Sequence, residues 1–259
     1  MLTIKQQLIP VNRFSRPGKK LVAKRGIVMH YTADPGASAQ AIGNYFISLK
    51  NQKSGDSTTN RYASAHIQID RTTIVQSLPF DEMGYHCGSK QPYLTEALAK
   101  LGSYPNNSTV GIEMCIETDG AIHEDTFNNA VDLVVYLIQH EGFPEVIFTH
   151  KGVVGWKDCP LPWVKNPSEF ERFKQRVHSR LETRDSIGQD NLQDSITFEE
   201  EEHLNLSVNQ WTILINQLKE LYNKKLITDY TWIDKAVAKK LTASELLFIN
   251  TVIINRGIK

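Results

Sequence analysis

Between residues 21 and 178, short runs of period-two hydrophobicity alternate with longer runs of period three to four, which predicts strands interleaved with helices. "RGIVMHYT" is a β-branched run, and the "SAQAIGNYFISLK" after it sets Ala41, Ile42, Tyr45, Phe46 and Leu49 on one helical face, with Ser38 as its cap. "AHIQIDRTTIVQSLP" predicts a hairpin in which Ala65, Ile67 and Ile69 alternate with His66, Gln68 and Asp70. In "STVGIEMCIE", Val110, Ile112, Met114 and Ile116 share one face of a strand, and Gly111, Glu113 and Cys115 share the other. "EDTFNNAVDLVVYLIQHEG" is an amphipathic helix closed by Gly142, "EVIFTH" a last strand and "SEFERFKQRVHSRL" a last helix. The expected fold class is α/β, a mixed β-sheet flanked by helices, over residues 1–180.

The periodicity lapses over residues 181–197, where polar residues dominate and a linker is expected. Residues 198–259 then read as a small all-α module of three amphipathic helices. Its candidate caps are Ser207, Thr228 or Asp229, and Thr242, the last forming a capping box with Glu245. The run Glu199 to Glu202 reads as a solvated helix start, and the stripe of Trp211, Tyr222, Tyr230 and Trp232 as core, with a carbohydrate platform as the alternative. A module of roughly sixty residues is near the size at which a lone core becomes marginal.

Composition narrows the function classes. Net charge is zero, so no global electrostatic grip on nucleic acid or an anionic membrane is expected. No apolar run approaches membrane-spanning length. The first residues, "MLTIKQQLIPVNRFSRPGKK", lack the apolar core and cleavage site of a signal peptide, which points to synthesis and retention in the cytoplasm. Cys87, Cys115 and Cys159 are too few for a disulfide framework; each is expected as a buried thiol or a metal thiolate. His123, His140, His178 and His203 have no partner pattern and are assigned to surfaces.

Candidate chemistry gathers at strand ends. His30 ends one strand, His150 ends another, and Cys159 follows in the loop "FTHKGVVGWKDCP". Two imidazoles and a thiolate suit zinc, and three protein ligands with an open position describe a catalytic site. The same His150 and Cys159 also fit a cysteine nucleophile with its base. Lys157 lies two residues before Cys159 and shares its side in an extended segment. Glu113 is a carboxylate on an otherwise apolar strand, fitting either a buried ion pair or a general base. Trp156 either lines a subsite or packs on the fold.

From Pro10 to Val164 the chain resembles the zinc-dependent N-acetylmuramoyl-L-alanine amidases of phage lysins and bacterial autolysins, relatives of the peptidoglycan recognition proteins. Five ordered blocks carry the resemblance: "IVMHYTA", "ASAHIQID", "GYHCG", "STVGIEMCIETDG" and "FTHKGVVGWKDCP". It implies that His30, His150 and Cys159 hold one zinc ion, that Glu113 is the catalytic glutamate and that Lys157 stabilises an oxyanion. It also implies that His66 and His86 face the substrate. In one departure, Ala65 stands where some relatives carry a tyrosine, a place that Tyr62 or Glu113 would then fill. The implied substrate is peptidoglycan, cut between N-acetylmuramic acid and L-alanine. The helical module would hold a secondary wall polymer, and the whole would act as an endolysin released at lysis. A cysteine-dependent endopeptidase and a non-catalytic peptidoglycan-binding protein are the alternative readings.

Overall fold

The computed structural model describes residues 2–53, 59–187, 196–200 and 203–257. Its sheet contains β1 (Leu2–Gln6), β2 (Gly26–Tyr31), β3 (Ile67–Ile69), β4 (Ile74–Gln76), β5 (Thr109–Met114), β6 (Ile147–Thr149) and β7 (Ile196–Glu200). Their order across the sheet is β6-β2-β5-β3-β4-β1-β7. β2 runs parallel to both β5 and β6, β5 is parallel to β3, and β3 turns back into antiparallel β4 as the expected hairpin. The mixed sheet flanked by helices is therefore the observed architecture.

Two-residue alternation divides each central strand between two cores. Ile27 and Met29 of β2, with Val110, Ile112 and Met114 of β5, face α3 (Glu124–Gln139) and α6 (Pro167–Ile187), where they meet Phe127, Val131, Val134, Phe173 and Val177. Val28 takes the opposite face, packing with Leu101 of α2 (Thr95–Leu101) and Val153 of α4 (His150–Val154). α1 (Ala39–Ser48) covers the same side of the hairpin through Ile42 and Phe46, and Ser38 caps it by accepting the Ala41 N–H at 3.2 Å. His123 accepts the Asp125 N–H at the start of α3, where Glu124 and Asp125 oppose the helix dipole. Arg172 of α6 bridges back to Glu124 at 2.9 Å, with its guanidinium 3.8 Å from the centroid of the Phe127 ring.

Four features depart from the expectations drawn from periodicity. The first residues form β1 beside β4, and α2, a two-turn helix with no side-chain cap, was hidden by its shortness. The expected linker is partly regular structure: α6 continues to Ile187 and Ile196–Glu200 is strand β7. That strand also replaces the helix start expected at Glu199; residues 188–195, 201 and 202 lie outside the described residues. The chain divides into compact units at Glu199/Glu200.

The second unit contains α7 (Val208–Asn223), α8 (Thr231–Val237) and α9 (Ala243–Gly257) around Trp211, Leu218, Trp232, Ile233, Leu241 and Ile249. Trp211 and Trp232 are thus core, as the stripe predicts, while Tyr230 is exposed. Ser207 and Gln210 form a capping box at α7, and Thr242 forms the predicted one with Glu245 at α9. At α8, Asp229 accepts the Thr231 N–H at 3.0 Å.

His66 is a buried polar pin of the first unit. Its backbone N–H donates to Gly111 O at 2.9 Å, and its Nδ1 accepts the Gly111 N–H at 3.0 Å. Nε2 donates to the carbonyl of Glu82 at 2.8 Å, so both ring nitrogens are committed with the imidazole neutral. Burial lowers its pKa from 6.5 to about 4. Between those values the unfolded chain binds the additional proton, so stability falls as pH is lowered through this window. In urea unfolding at pH 7 and pH 4.5, His66→Gln is expected to remove roughly 2–3 kcal/mol of the acid destabilisation. Parallel losses in both proteins would contradict this.

Candidate metal centre

Strand register assembles the centre. His30, the penultimate residue of β2, is the register partner of Glu113 in β5, and both project away from the α3 face. On the other side of β2, Met29 pairs with Thr149, so His150 arrives beside His30 as the next residue along. His150 opens α4 rather than ending the strand; Thr149 Oγ1 caps that helix by accepting the Gly152 N–H at 2.9 Å. The two imidazoles lie 4.6 Å apart between centroids, edge to face. Lys151 N–H donates to Cys159 O and Cys159 N–H donates to Lys157 O, both at 2.9 Å, which folds the loop over α4. Cys159 Sγ comes to 3.8 Å from His30 Nδ1.

One donor atom from each of His30, His150 and Cys159 falls within 4.8 Å of the others, and all three residues are buried. Both ring nitrogens of His150, and Oε2 of Glu113, are shielded from solvent with no hydrogen-bond partner among the described residues. An imidazole buried without a partner is costly in a purely structural role, whereas two imidazoles and a thiol converging on one point fit a metal ion. Burial and the Lys157 charge lower His150 to about 3, and burial with neighbouring imidazoles lowers His30 well below its usual range. Burial, reinforced by the Glu113 charge, pushes the Cys159 thiol up to about 12, against the Tyr31 backbone N–H that hydrogen-bonds it. These surroundings disfavour both halves of a thiolate–imidazolium pair, so they oppose a nucleophilic cysteine. Burial raises Glu113 to about 8, with Lys157 pulling the other way.

The centre forms the floor of a cleft of about 670 Å³ that is also lined by Glu113 and Lys157. Its wall is aromatic, with Tyr45, Tyr62, Tyr85, Tyr104 and Trp156. Lys157 is exposed at this cleft, and Asp158 beside it is paired with Lys151. Trp156 is half exposed, its Nε1 donating to Ser89 Oγ at 2.9 Å, so it is a lining residue rather than core. Tyr62 also lines the cleft, and its hydroxyl accepts from Arg13 at 2.9 Å.

Of the seven residues singled out from sequence, six converge here. His66 does not: it is fully buried, both its nitrogens serve the backbone, and it does not line the cleft. Its motif neighbour His86 lines the cleft, but its Nδ1 faces His30 Nε2 at 3.1 Å. Cys87 and Cys115 are buried free thiols away from the donor set, and His178 pairs with Glu145 at 3.2 Å on the surface. Sequence reading missed Asn106, whose Oδ1 accepts the His86 and Cys87 N–H groups at 3.2 and 2.9 Å. An asparagine after a proline carries no signal of that contact.

Known proteins resemble this chain over its first unit. Residues 20–162 match the family model described as N-acetylmuramoyl-L-alanine amidase, Amidase_2. A probable N-acetylmuramoyl-L-alanine amidase of Bacillus licheniformis is 38% identical over 183 residues, covering 70% of this chain and 49% of that protein. N-acetylmuramoyl-L-alanine amidase BlyA of Bacillus subtilis (strain 168) is 36% identical over 182 residues, covering 67% of this chain and 46% of that one. The chain therefore spans about half the length of the curated relatives it matches. The solved catalytic domain of XlyA, a Bacillus subtilis amidase, is 28% identical with a TM-score of 0.50, covering 67% of this chain and 98% of that domain. The donor triad and Glu113 and Lys157 all lie inside the matched segment, and the chain belongs to the N-acetylmuramoyl-L-alanine amidase (Amidase_2) family.

Proposed function

We propose that this chain hydrolyses the amide bond between N-acetylmuramic acid and L-alanine in peptidoglycan. The observation that carries the reading is the convergence of three buried donors on a cleft also lined by Glu113 and Lys157, inside the family segment. The family is zinc-dependent, and two imidazoles with one thiolate suit that ion, so His30, His150 and Cys159 would hold a single zinc. When bound, zinc supplies a Lewis acid that makes water nucleophilic near neutral pH.

The chain's own residues supply the remaining roles. Glu113 takes the proton of the attacking water and passes it to the departing L-alanine nitrogen. Burial makes the Glu113 carboxylate more basic than a solvated one, the direction that proton abstraction needs, while the Lys157 charge favours its ionised form. Lys157 places a positive charge at the cleft, where the carbonyl oxygen becomes negative. The aromatic wall offers flat apolar faces to sugar rings and peptide.

Residues 198–259 serve, in this reading, to hold the catalytic unit on a cell-wall polymer, raising the local concentration of an insoluble substrate. A separate core of α7, α8 and α9 supports an independent binding module. No described helix is long and apolar enough to cross a membrane, and we assign action on the wall after release at lysis.

On purified peptidoglycan the zinc-loaded chain should liberate new L-alanine amino termini without new reducing sugars. Chelation should abolish this and zinc restore it. Glu113→Gln should lower turnover about 10²- to 10⁴-fold, and Lys157→Ala about 10²- to 10³-fold. New termini at another residue would make the chain an endopeptidase, and activity that survives chelation but not thiol alkylation would restore the cysteine reading. Ending the chain at Glu199 should weaken sedimentation with whole sacculi by roughly tenfold or more while sparing cleavage of soluble muropeptides. Unchanged sedimentation would refute the wall-binding role.

A further inference from the structure

His86 makes an unusual set of contacts for a residue expected to touch substrate. The residue is 8% exposed, and its ring lies directly against the backbone of β5. A Cβ on Gly111 would come within 2.5 Å of His86 Cγ, so the ring occupies the space that the glycine leaves. From behind, the buried Asn106 side chain accepts the His86 and Cys87 N–H groups and holds the backbone of that turn. Both features fix the direction of the imidazole.

Hydrogen-bond accounting then sets its tautomer. Nε2 faces Thr109 O at 3.4 Å and Thr109 Oγ1 at 3.3 Å. The carbonyl can only accept, and the hydroxyl already donates its hydrogen to Pro105 O at 2.7 Å. With no donor facing it among the described residues, Nε2 must carry the hydrogen of the neutral ring. Nδ1 is then a bare acceptor, and 3.1 Å from it lies His30 Nε2. That contact requires a hydrogen on His30 Nε2, which leaves the lone pair of His30 on Nδ1. Nδ1 is the atom that faces Cys159 Sγ.

We infer that His86 is a positioning residue of the metal centre, accepting the Nε2–H of His30 and thereby committing His30 to bind the ion through Nδ1. The inference rests on the zinc-hydrolase reading above and assigns His86 a role other than substrate contact. The chain Thr109–His86–His30 is a hydrogen-bond relay behind one ligand, of the kind that orients an imidazole and raises its basicity. Gly111 and Asn106 become part of the same device.

The test measures zinc affinity of the full chain by competition with a chromophoric chelator, together with ring-nitrogen NMR of the zinc-loaded native protein. His86→Leu, which fills the space but accepts nothing, should weaken zinc binding about 10- to 100-fold. His86→Asn, whose Oδ1 can take the place of Nδ1, should recover most of that loss. The NMR spectrum should show His30 protonated at Nε2 and His86 protonated at Nε2 alone, a result independent of how any variant folds. Native affinity in His86→Leu, equal weakening in both variants, or His30 bound through Nε2 would each overturn the inference. A native chain that takes up no zinc would overturn the amidase reading itself.

Discussion

The pairing of β2 with β5 and β6 is the constraint from which the site follows. In that register His30 stands opposite Glu113, and His150 follows the residue paired with Met29. Side chains alternate strictly along a strand, so a slip of one residue would turn His30 and Glu113 into the α3 face. It would also take Ile27, Met29 and Ile112, which now belong to that core, out of it. Burial of apolar residues on one face thus holds the polar residues in place on the other. The geometry of the site is stabilised by the same contacts that stabilise the fold.

This arrangement concentrates costly groups. Four buried histidines, a thiol and a carboxyl occupy one side of the sheet, each disfavoured in its charged form by burial. Two of the histidines are satisfied locally, His66 by backbone groups and His86 by Thr109 and His30. His150 is not satisfied by any described residue, and Glu113 Oε2 shares that condition. Polar groups left this way at the floor of an open cleft belong to a site that acquires its partners from outside.

Much of this was legible in the chain. Strict alternation in "STVGIEMCIE" separated Glu113 from the apolar face, and the order of the five motif blocks brought His30, His150 and Cys159 together. What escaped was set by tertiary contact rather than by local pattern. His66 and His86 look alike in sequence, yet one lies where backbone groups claim both nitrogens and the other where Thr109 claims one and the His30 imidazole the other. Likewise β1 and β7 gain strand character by pairing at one side of the sheet, which polar runs such as "ITFEE" do not announce. The capping boxes at Ser207 and Thr242 were readable because side chain and partner lie three residues apart.

The central claim is that His30, His150 and Cys159 form one metal centre. Zinc K-edge absorption spectroscopy on the purified full chain tests it most directly. The account predicts one zinc per chain with two imidazole nitrogens and one sulfur among its ligands, the sulfur scattering disappearing in Cys159→Ser. Zinc bound without sulfur, or a chain that binds no zinc at neutral pH, would contradict it.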